Sequence, residues 1–440
     1  MRGPRVVIAG AGFGGMWAAR TLSGSGADVL LLDRNNYHTF FPLLYQVAAA
    51  ELAPPDIAYP VRSIFRKASN VEVRMAEVLS VDLEARRVET SAGVVSYDIL
   101  VLALGSVSHF FGVEGAADHA FPLRWMDDAI PLRHHVLTRF EAAVSTDDPD
   151  LRRRLLTFAV VGGGPTGVEF AGALAELIYG PFRRDYPGLN AEDVSVVLLE
   201  ATEHVLSSMP ERLGRYAVER LERRRVVVRT GVRVERVRAD AVELAGGEVL
   251  PTETVVWTAG IQGDPRVKAW GLPVARGGRV PVDAHLRVEG HPEVHVIGDL
   301  AYREDSDGQP LPQVAQVAIQ QGRAVGVNIL RLLEEKPPRP FRYKDRGMLA
   351  VVGRNAAVAE VFGRAFKGFT AWLLWLGIHI TWLIGFRNRA LVLVNWAWNY
   401  ISFKRAVRLI LAGAGSSAPD AQDEDVRDAD GGRASSLPGP

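Results

Sequence analysis

The sequence predicts an α/β fold: two Rossmann-like dinucleotide-binding domains followed by a C-terminal helical membrane-anchoring region. Three observations predict it. An apolar strand, a glycine-rich turn and a helix occur twice, at 5–22 and 157–177. Each is followed by a further apolar strand, at 29–33 and 194–200, as a βαβ unit requires. Finally, residues 361–411 hold seven Lys or Arg, no Asp or Glu, and five of the chain's nine tryptophans.

The first turn, VVIAGAGFGG, places Gly10, Gly12 and Gly15 in G-x-G-x-x-G spacing, with Gly14 between the last two. Glycine is needed there for a tight turn, for close approach of backbone to a pyrophosphate, and for helix packing, with the phosphate charge at the helix N-terminus. Asp33 ends the next strand, 23 residues past Gly10, placed to accept hydrogen bonds from ribose hydroxyls. Strands are then expected at 71–81 and 94–104 and a helix at 126–144. The second turn, AVVGGGPTGVE, repeats the spacing with Gly162, Gly164 and Gly167 and has its own acid in Glu200, the extra length being an insertion at 179–193. Strands at 226–229, 232–237 and 255–257 make the second unit a sheet domain as well.

A later strand, 294–297, runs into Gly298-Asp299, and a helix opens near Gln313. An Asp at a strand end beside a helix N-terminus suits a ribityl chain. The first domain therefore closes late in the sequence and holds FAD, while the inserted second domain holds NAD(P). Leu102-Ala103-Leu104-Gly105-Ser106 and Thr258-Ala259-Gly260 suit the crossings between them, where small residues let backbone touch cofactor. The division expected is 1–150 and 271–345 for the FAD domain, 151–270 for the NAD domain, 346–412 for the membrane-associated region and 413–440 for a disordered acidic tail.

Composition excludes several function classes. Lys plus Arg and Asp plus Glu are 51 each, so no net field draws the chain to nucleic acid. With no cysteine, there is no redox dithiol, thiol nucleophile or thiolate metal site, and no metal is expected. Met1 to Pro4 lead straight into Val6-Val7-Ile8-Ala9, which reads as no signal peptide and a cytoplasmic enzyme.

At this point the chain resembles the two-dinucleotide-binding flavoproteins and, among them, the type II, non-proton-pumping NADH:quinone oxidoreductases. The likeness is carried by Asp33-Arg34-Asn35-Asn36-Tyr37-His38, by Phe41-Pro42-Leu43-Leu44-Tyr45-Gln46, and by Ala315-Gln316-Val317-Ala318-Ile319-Gln320-Gln321-Gly322, which is similar to the family's AQxAxQ quinone motif; it runs over 5–411. The resemblance implies FAD and NADH as cofactors, with Arg34, Pro42, Leu43, Val78, Gly105, Ser106, Pro165, Thr166, Gly260 and Ala315 joining the two turns, Asp33, Glu200, Gly298 and Asp299 around them. It further implies a membrane quinone, ubiquinone or menaquinone, as acceptor. By spacing alone Gln316 and Gln320 share a helix face and read as a solvated or capping pair; the resemblance makes them quinone ligands. Glu169 alone reads as a first-turn glutamate stabilised by the helix dipole; the resemblance gives it a part in cofactor placement or proton supply.

Residues 368–386 form an uncharged run of 19, long enough to cross a bilayer, although His379, two threonines and three glycines dilute it. The next stretch, 390–411, sets Asn395, Asn399 and Ser402 on one helical face and Trp396, Trp398, Ile401 and Phe403 on others, the composition of an interfacial anchor. The competing reading is a buried hairpin or a dimer interface, and a homodimer is compatible with the sequence. The enzyme is thus expected at the cytoplasmic face of the membrane, and truncation after Asp345 is expected to leave soluble, FAD-binding protein. Rival functions on this scaffold are a ferredoxin or rubredoxin-type reductase, which would not explain the apolar, basic C-terminus, and a redox-sensing FAD/NAD-binding protein, which rapid flavin bleaching by NADH and reoxidation by a quinone would separate from an enzyme.

Overall fold

The structure, a computed structural model, describes residues 3–190, 192–402 and 407–410. The expected tail at 413–440 and Phe403 lie outside the described residues. Two parallel sheets repeat one plan. In the first, Arg5–Ala9 lies between Asp28–Asp33 and Ile99–Leu102, with Val71–Met75 and His291–Val296 outside them and Arg287–Val288 as an antiparallel edge. In the second, Thr157–Val161 lies between Ser195–Leu199 and Thr254–Trp257, with Val226–Arg229 and Ala120–Pro122 at the edges. Both central strands are buried along nearly their whole length, which explains their unbroken apolar runs.

Each turn leads into a helix, Phe13–Leu22 and Pro165–Leu177. The helix Ala315–Leu333, expected near Gln313, packs against Phe13–Leu22 so closely that a Cβ at Gly322 would collide with the carbonyl oxygen of Gly14. The helix expected at 126–144 is Met126–Ser145.

Two expected strands are each two. The stretch 71–81 divides into Val71–Met75 in the parallel sheet and Val78–Asp82 in a separate antiparallel sheet with Arg87–Thr90 and Gly93–Ser96. The stretch 94–104 divides into Gly93–Ser96 and Ile99–Leu102. Asp98 makes the second break: its carboxylate accepts the Arg5 N–H at 2.6 Å and its own N–H donates to the Arg5 carbonyl at 2.9 Å. The insertion opens as a π-helical turn, Ile178–Phe182, in which Pro181 has no N–H for a regular ladder.

The C-terminal region departs most from expectation. A three-stranded antiparallel sheet, Met348–Gly353, Ala356–Val361 and Arg364–Gly368, precedes the helices. Its first strand packs on Pro165–Leu177, where a Cβ at Gly172 would collide with the carbonyl oxygen of Val352. The uncharged run at 368–386 is the helix Phe369–Trp382, which stops at Leu383 and turns at Gly385 with φ +89°. Among the described residues no helix is long and apolar enough to cross a membrane. The next helix, Phe386–Ser402, turns three polar side chains inward. Asn388 donates to the carbonyls of Pro55, Asp56 and Ala58, Asn395 to the Asp56 carboxylate at 3.2 Å, and the Trp396 indole to Gln46 at 2.9 Å.

Candidate active site

The two glycine turns agree atom for atom. Gly10 and Gly162 have φ of +105° and +110°, and their N–H groups donate to Leu32 and Leu199. A Cβ at Gly15 would strike the carbonyl oxygen of Gly10, and one at Gly167 that of Gly162, so these two glycines permit the helix to leave the turn. Gly12 and Gly164 cap the two helices, and a Cβ on either would meet nothing within 4 Å. That open space beside bare backbone is where a pyrophosphate approaches. The acids match too. Asp33 accepts from the N–H of Ala11 (2.6 Å) and Asn35 (2.7 Å), and Glu200 from that of Gly163 (2.6 Å) and Thr202 (2.7 Å). Beneath the first turn, the buried His38 ring holds the Ala11 carbonyl at 2.8 Å; burial lowers its pKa to about 4, so it is neutral.

One cavity of about 1110 Å³ gathers most of the expected residues. The first turn supplies Gly10, Gly12 and Gly14, the following strand end Asp33 and Arg34, and nearby loops Pro42, Val78 and Gly105. The second turn reaches the same cavity through Pro165, Thr166 and Glu169, together with Gly260. Late elements add Gly298, Asp299, Ala315 and Gln316. Gly15, Leu43 and Ser106 do not line it and sit behind its wall as buried or packing residues, while Gly162, Gly164, Gly167 and Glu200 also lie outside its lining.

Gln316 and Gln320 separate. Gln316 lines the cavity, and its amide donates to the Gly347 carbonyl at 3.0 Å while accepting from the Arg346 N–H. Gln320 does not line it; it clasps the main chain of Lys344 through both ends of its amide, at 2.9 and 3.0 Å. The neighbouring Gln321, fully buried, accepts the Gly298 N–H at 2.6 Å and so fixes the turn before Asp299.

Sequence reasoning missed two side chains here. Arg124 lines the cavity and pairs with Asp299, whose carboxylate also accepts from Ser106 at 2.9 Å. Asp128 accepts the N–H groups of Arg124 and Trp125, and Arg34 lies over the Trp125 ring at 4.8 Å. The buried Nε of Arg124 has no partner. Bare backbone at Gly12, the Asp33 carboxylate and the cationic Arg34 and Arg124 lining one cavity supply what an anionic dinucleotide needs, so the residues present fit FAD. Asp128 in the first turn of a helix is an acid placement visible in the sequence, but nothing there marks Arg124. His379, read only as diluting an apolar run, also lines the cavity. Its Nδ1 meets the Trp375 carbonyl at 2.7 Å, and burial lowers its pKa to about 4.

Glu169 is 8% exposed, and its carboxyl accepts the Val351 N–H at 3.1 Å. Burial raises its pKa to about 8, against the lowering effect of that hydrogen bond, so it is largely protonated at neutral pH.

Because Gly12 offers bare backbone to the cavity, Gly12→Val should purify colourless; normal FAD stoichiometry would contradict the placement.

The pyridine nucleotide-disulphide oxidoreductase family model matches residues 4–322. A type II NADH:quinone oxidoreductase of Mycobacterium tuberculosis is 37% identical over 416 residues, covering 91% of this chain and 89% of that protein. Another from Staphylococcus aureus is 34% identical over 375 residues, covering 83% and 91%. Among solved structures, NDH2 from Plasmodium falciparum in complex with NADH superposes with a TM-score of 0.85 at 19% identity, covering 93% of this chain and all of that one.

Proposed function

This chain belongs to the type II NADH:quinone oxidoreductases, within the pyridine nucleotide-disulphide oxidoreductase family, and from that premise we propose how its large cavity carries the reaction. It oxidises NADH and reduces a quinone, with FAD as cofactor. The family's disulphide chemistry has no place here, since the chain has no cysteine. The observation that carries the reading is that the first glycine turn and the start of the second turn's helix, through Pro165 and Thr166, meet in one cavity that also contains Glu169, Gln316 and His379.

Bound FAD would supply the two-electron chemistry for which this chain, having no cysteine, offers no side chain. Gly12 admits its pyrophosphate, Asp33 a ribose, and Asp299 with Arg124 the rest of the chain. Glu200, with both oxygens already fixed by main-chain donors, faces the nicotinamide nucleotide's ribose and repels a 2′-phosphate. Gln316 hydrogen-bonds the quinone, with Gln320 holding the 344–347 segment on which Gln316 rests. Glu169 supplies a proton to the reduced quinone. Mixing FAD-loaded protein with NADH without oxygen should bleach the flavin, and a soluble quinone should restore it; a flavin that stays oxidised contradicts the reading.

Attachment is to the cytoplasmic membrane surface, without spanning. Support comes from Phe369, Leu373, Leu393, Val394 and Trp398, apolar side chains on the two C-terminal helices that are 49–62% exposed, in a segment free of acids. Each basic residue near an anionic surface adds about 1 kcal/mol. A monotopic helix pair offers no chain of buried ionisable groups across a bilayer, so turnover moves no charge through it. Full-length protein should float with anionic vesicles in the absence of detergent; protein left at the bottom of the gradient contradicts attachment.

A further inference from the structure

A second cavity, of about 690 Å³, backs onto the first and shares Glu169 with it. One wall comes from the C-terminal helices through Trp372, Trp375, Leu376 and Trp396. The facing wall is the π-helical turn, through Tyr179, Gly180 and Pro181. Such turns recur at functional sites. Four arginines, Arg223, Arg224, Arg225 and Arg354, line it together with three acids, Glu51, Glu169 and Glu176. Arg224 is committed to the frame: it pairs with Glu176 at 3.2 Å and donates to the Arg354 carbonyl at 2.8 Å. Arg225 lies over the Tyr179 ring at 5.4 Å, and Arg223 is exposed at the rim.

The cavity also opens toward the apolar surface. Leu393 lines it and is 50% exposed, next to Val394 and Trp398, both 62% exposed. An aromatic slot with a cationic rim, continuous with an exposed apolar patch, selects a molecule with an apolar tail and an anionic head.

We propose that this second cavity binds an acyl chain of an anionic membrane phospholipid, with the chain against Trp372, Trp375 and Trp396 and the phosphate on Arg223 and Arg225. The proposal rests on the reading that the C-terminal helices meet a membrane surface. The phosphate accepts paired N–H donors from the guanidinium groups; a zwitterionic lipid carries the same phosphate, and its quaternary ammonium, repelled by the two guanidinium cations, weakens its binding. Because Glu169 is common to both cavities, a chain in the second one also removes water from behind the reaction site.

The test uses full-length, FAD-loaded protein in detergent, with native mass spectrometry of dioleoylphosphatidylglycerol and dioleoylphosphatidylcholine binding. One phosphatidylglycerol per chain should be retained, and phosphatidylcholine roughly tenfold less well. Ala397 lines the cavity yet is exposed, so Ala397→Trp can plug it without disturbing the core. That variant and the Arg223→Glu/Arg225→Glu double variant should each lower phosphatidylglycerol retention about tenfold while keeping FAD. Undiminished retention by Ala397→Trp, or equal retention of the two lipids by the natural chain, overturns the proposal. Vesicle flotation of the natural chain separates the premise: selective retention in detergent without flotation sinks membrane attachment alone, and flotation without selective retention sinks the lipid site alone.

Discussion

Protein truncated after Asp345 is expected to be recovered as insoluble or unfolded material rather than as the soluble, FAD-binding core anticipated from the sequence. The reason is what the removed segment buries. Val352, Val358, Leu383 and Val392 are at most 1% exposed, and Trp375 is 2% exposed within the core that also holds the second turn's helix. At about 1.5–3 kcal/mol per fully buried aliphatic side chain, the four aliphatics alone approach the roughly 5–15 kcal/mol that stabilises a whole domain. Truncation also strips the Val351 N–H from Glu169 and leaves Asp56 and Gln46 without their partners on the last helix. Gly347, Met348, Leu349, His379 and Trp382 disappear from the cavity wall. Soluble yield and flavin content decide the matter: a monodisperse, yellow truncated protein would contradict this account of the C-terminal region.

The second large effect concerns Glu169. Its pKa of about 8 against a reference of 4.5 means that the folded protein holds a proton which the unfolded chain releases between those values. Quinone reduction should therefore be fastest below about pH 8 and fall as pH rises through that value. Glu169→Gln should lose that limb and slow the quinone half-reaction by about 10²-fold, the low end of general acid catalysis. The stability sign follows the same proton. A raised carboxyl pKa contributes stability that is complete below pH 4.5 and is lost as pH rises toward 8, so the unfolding midpoint of the natural chain should fall across that window and that of Glu169→Gln should be flatter. An unchanged pH profile in Glu169→Gln assigns the proton to another group.

Much of this architecture is legible in the residues because the physics that writes it is local. The strand, glycine turn and helix at Gly10 and Gly162 are set by steric demands within a few residues, and Asp33 and Glu200 sit where strand ends must be. The breaks within 71–81 and 94–104 depend on long-range pairing, such as that of Asp98 with Arg5, which periodicity does not register. The sheet at 348–368 has turn signals in Asn355 and Gly363, at φ +58° and +74°. The adjoining acid-free, tryptophan-rich run drew the whole region toward a membrane reading instead. Hydropathy of this run is the same whether a bilayer or neighbouring chain covers it; only Gln46, which accepts from Trp396, and Asp56, which accepts from Asn395, both over 300 residues away, distinguish the two. Arg124 lacked any local signal because its meaning comes from Asp299, 175 residues later.

The central claim is that NADH and quinone are served by one cavity in which Gln316 stands on the quinone side. Anaerobic stopped-flow mixing of FAD-loaded Gln316→Leu, first with NADH and then with a soluble quinone, tests it most directly. Flavin bleaching should keep nearly the rate of the natural protein, and reoxidation by quinone should slow about tenfold, the worth of one hydrogen bond of roughly 1.4 kcal/mol. Slowed bleaching with reoxidation intact would place Gln316 on the nicotinamide side and contradict the arrangement.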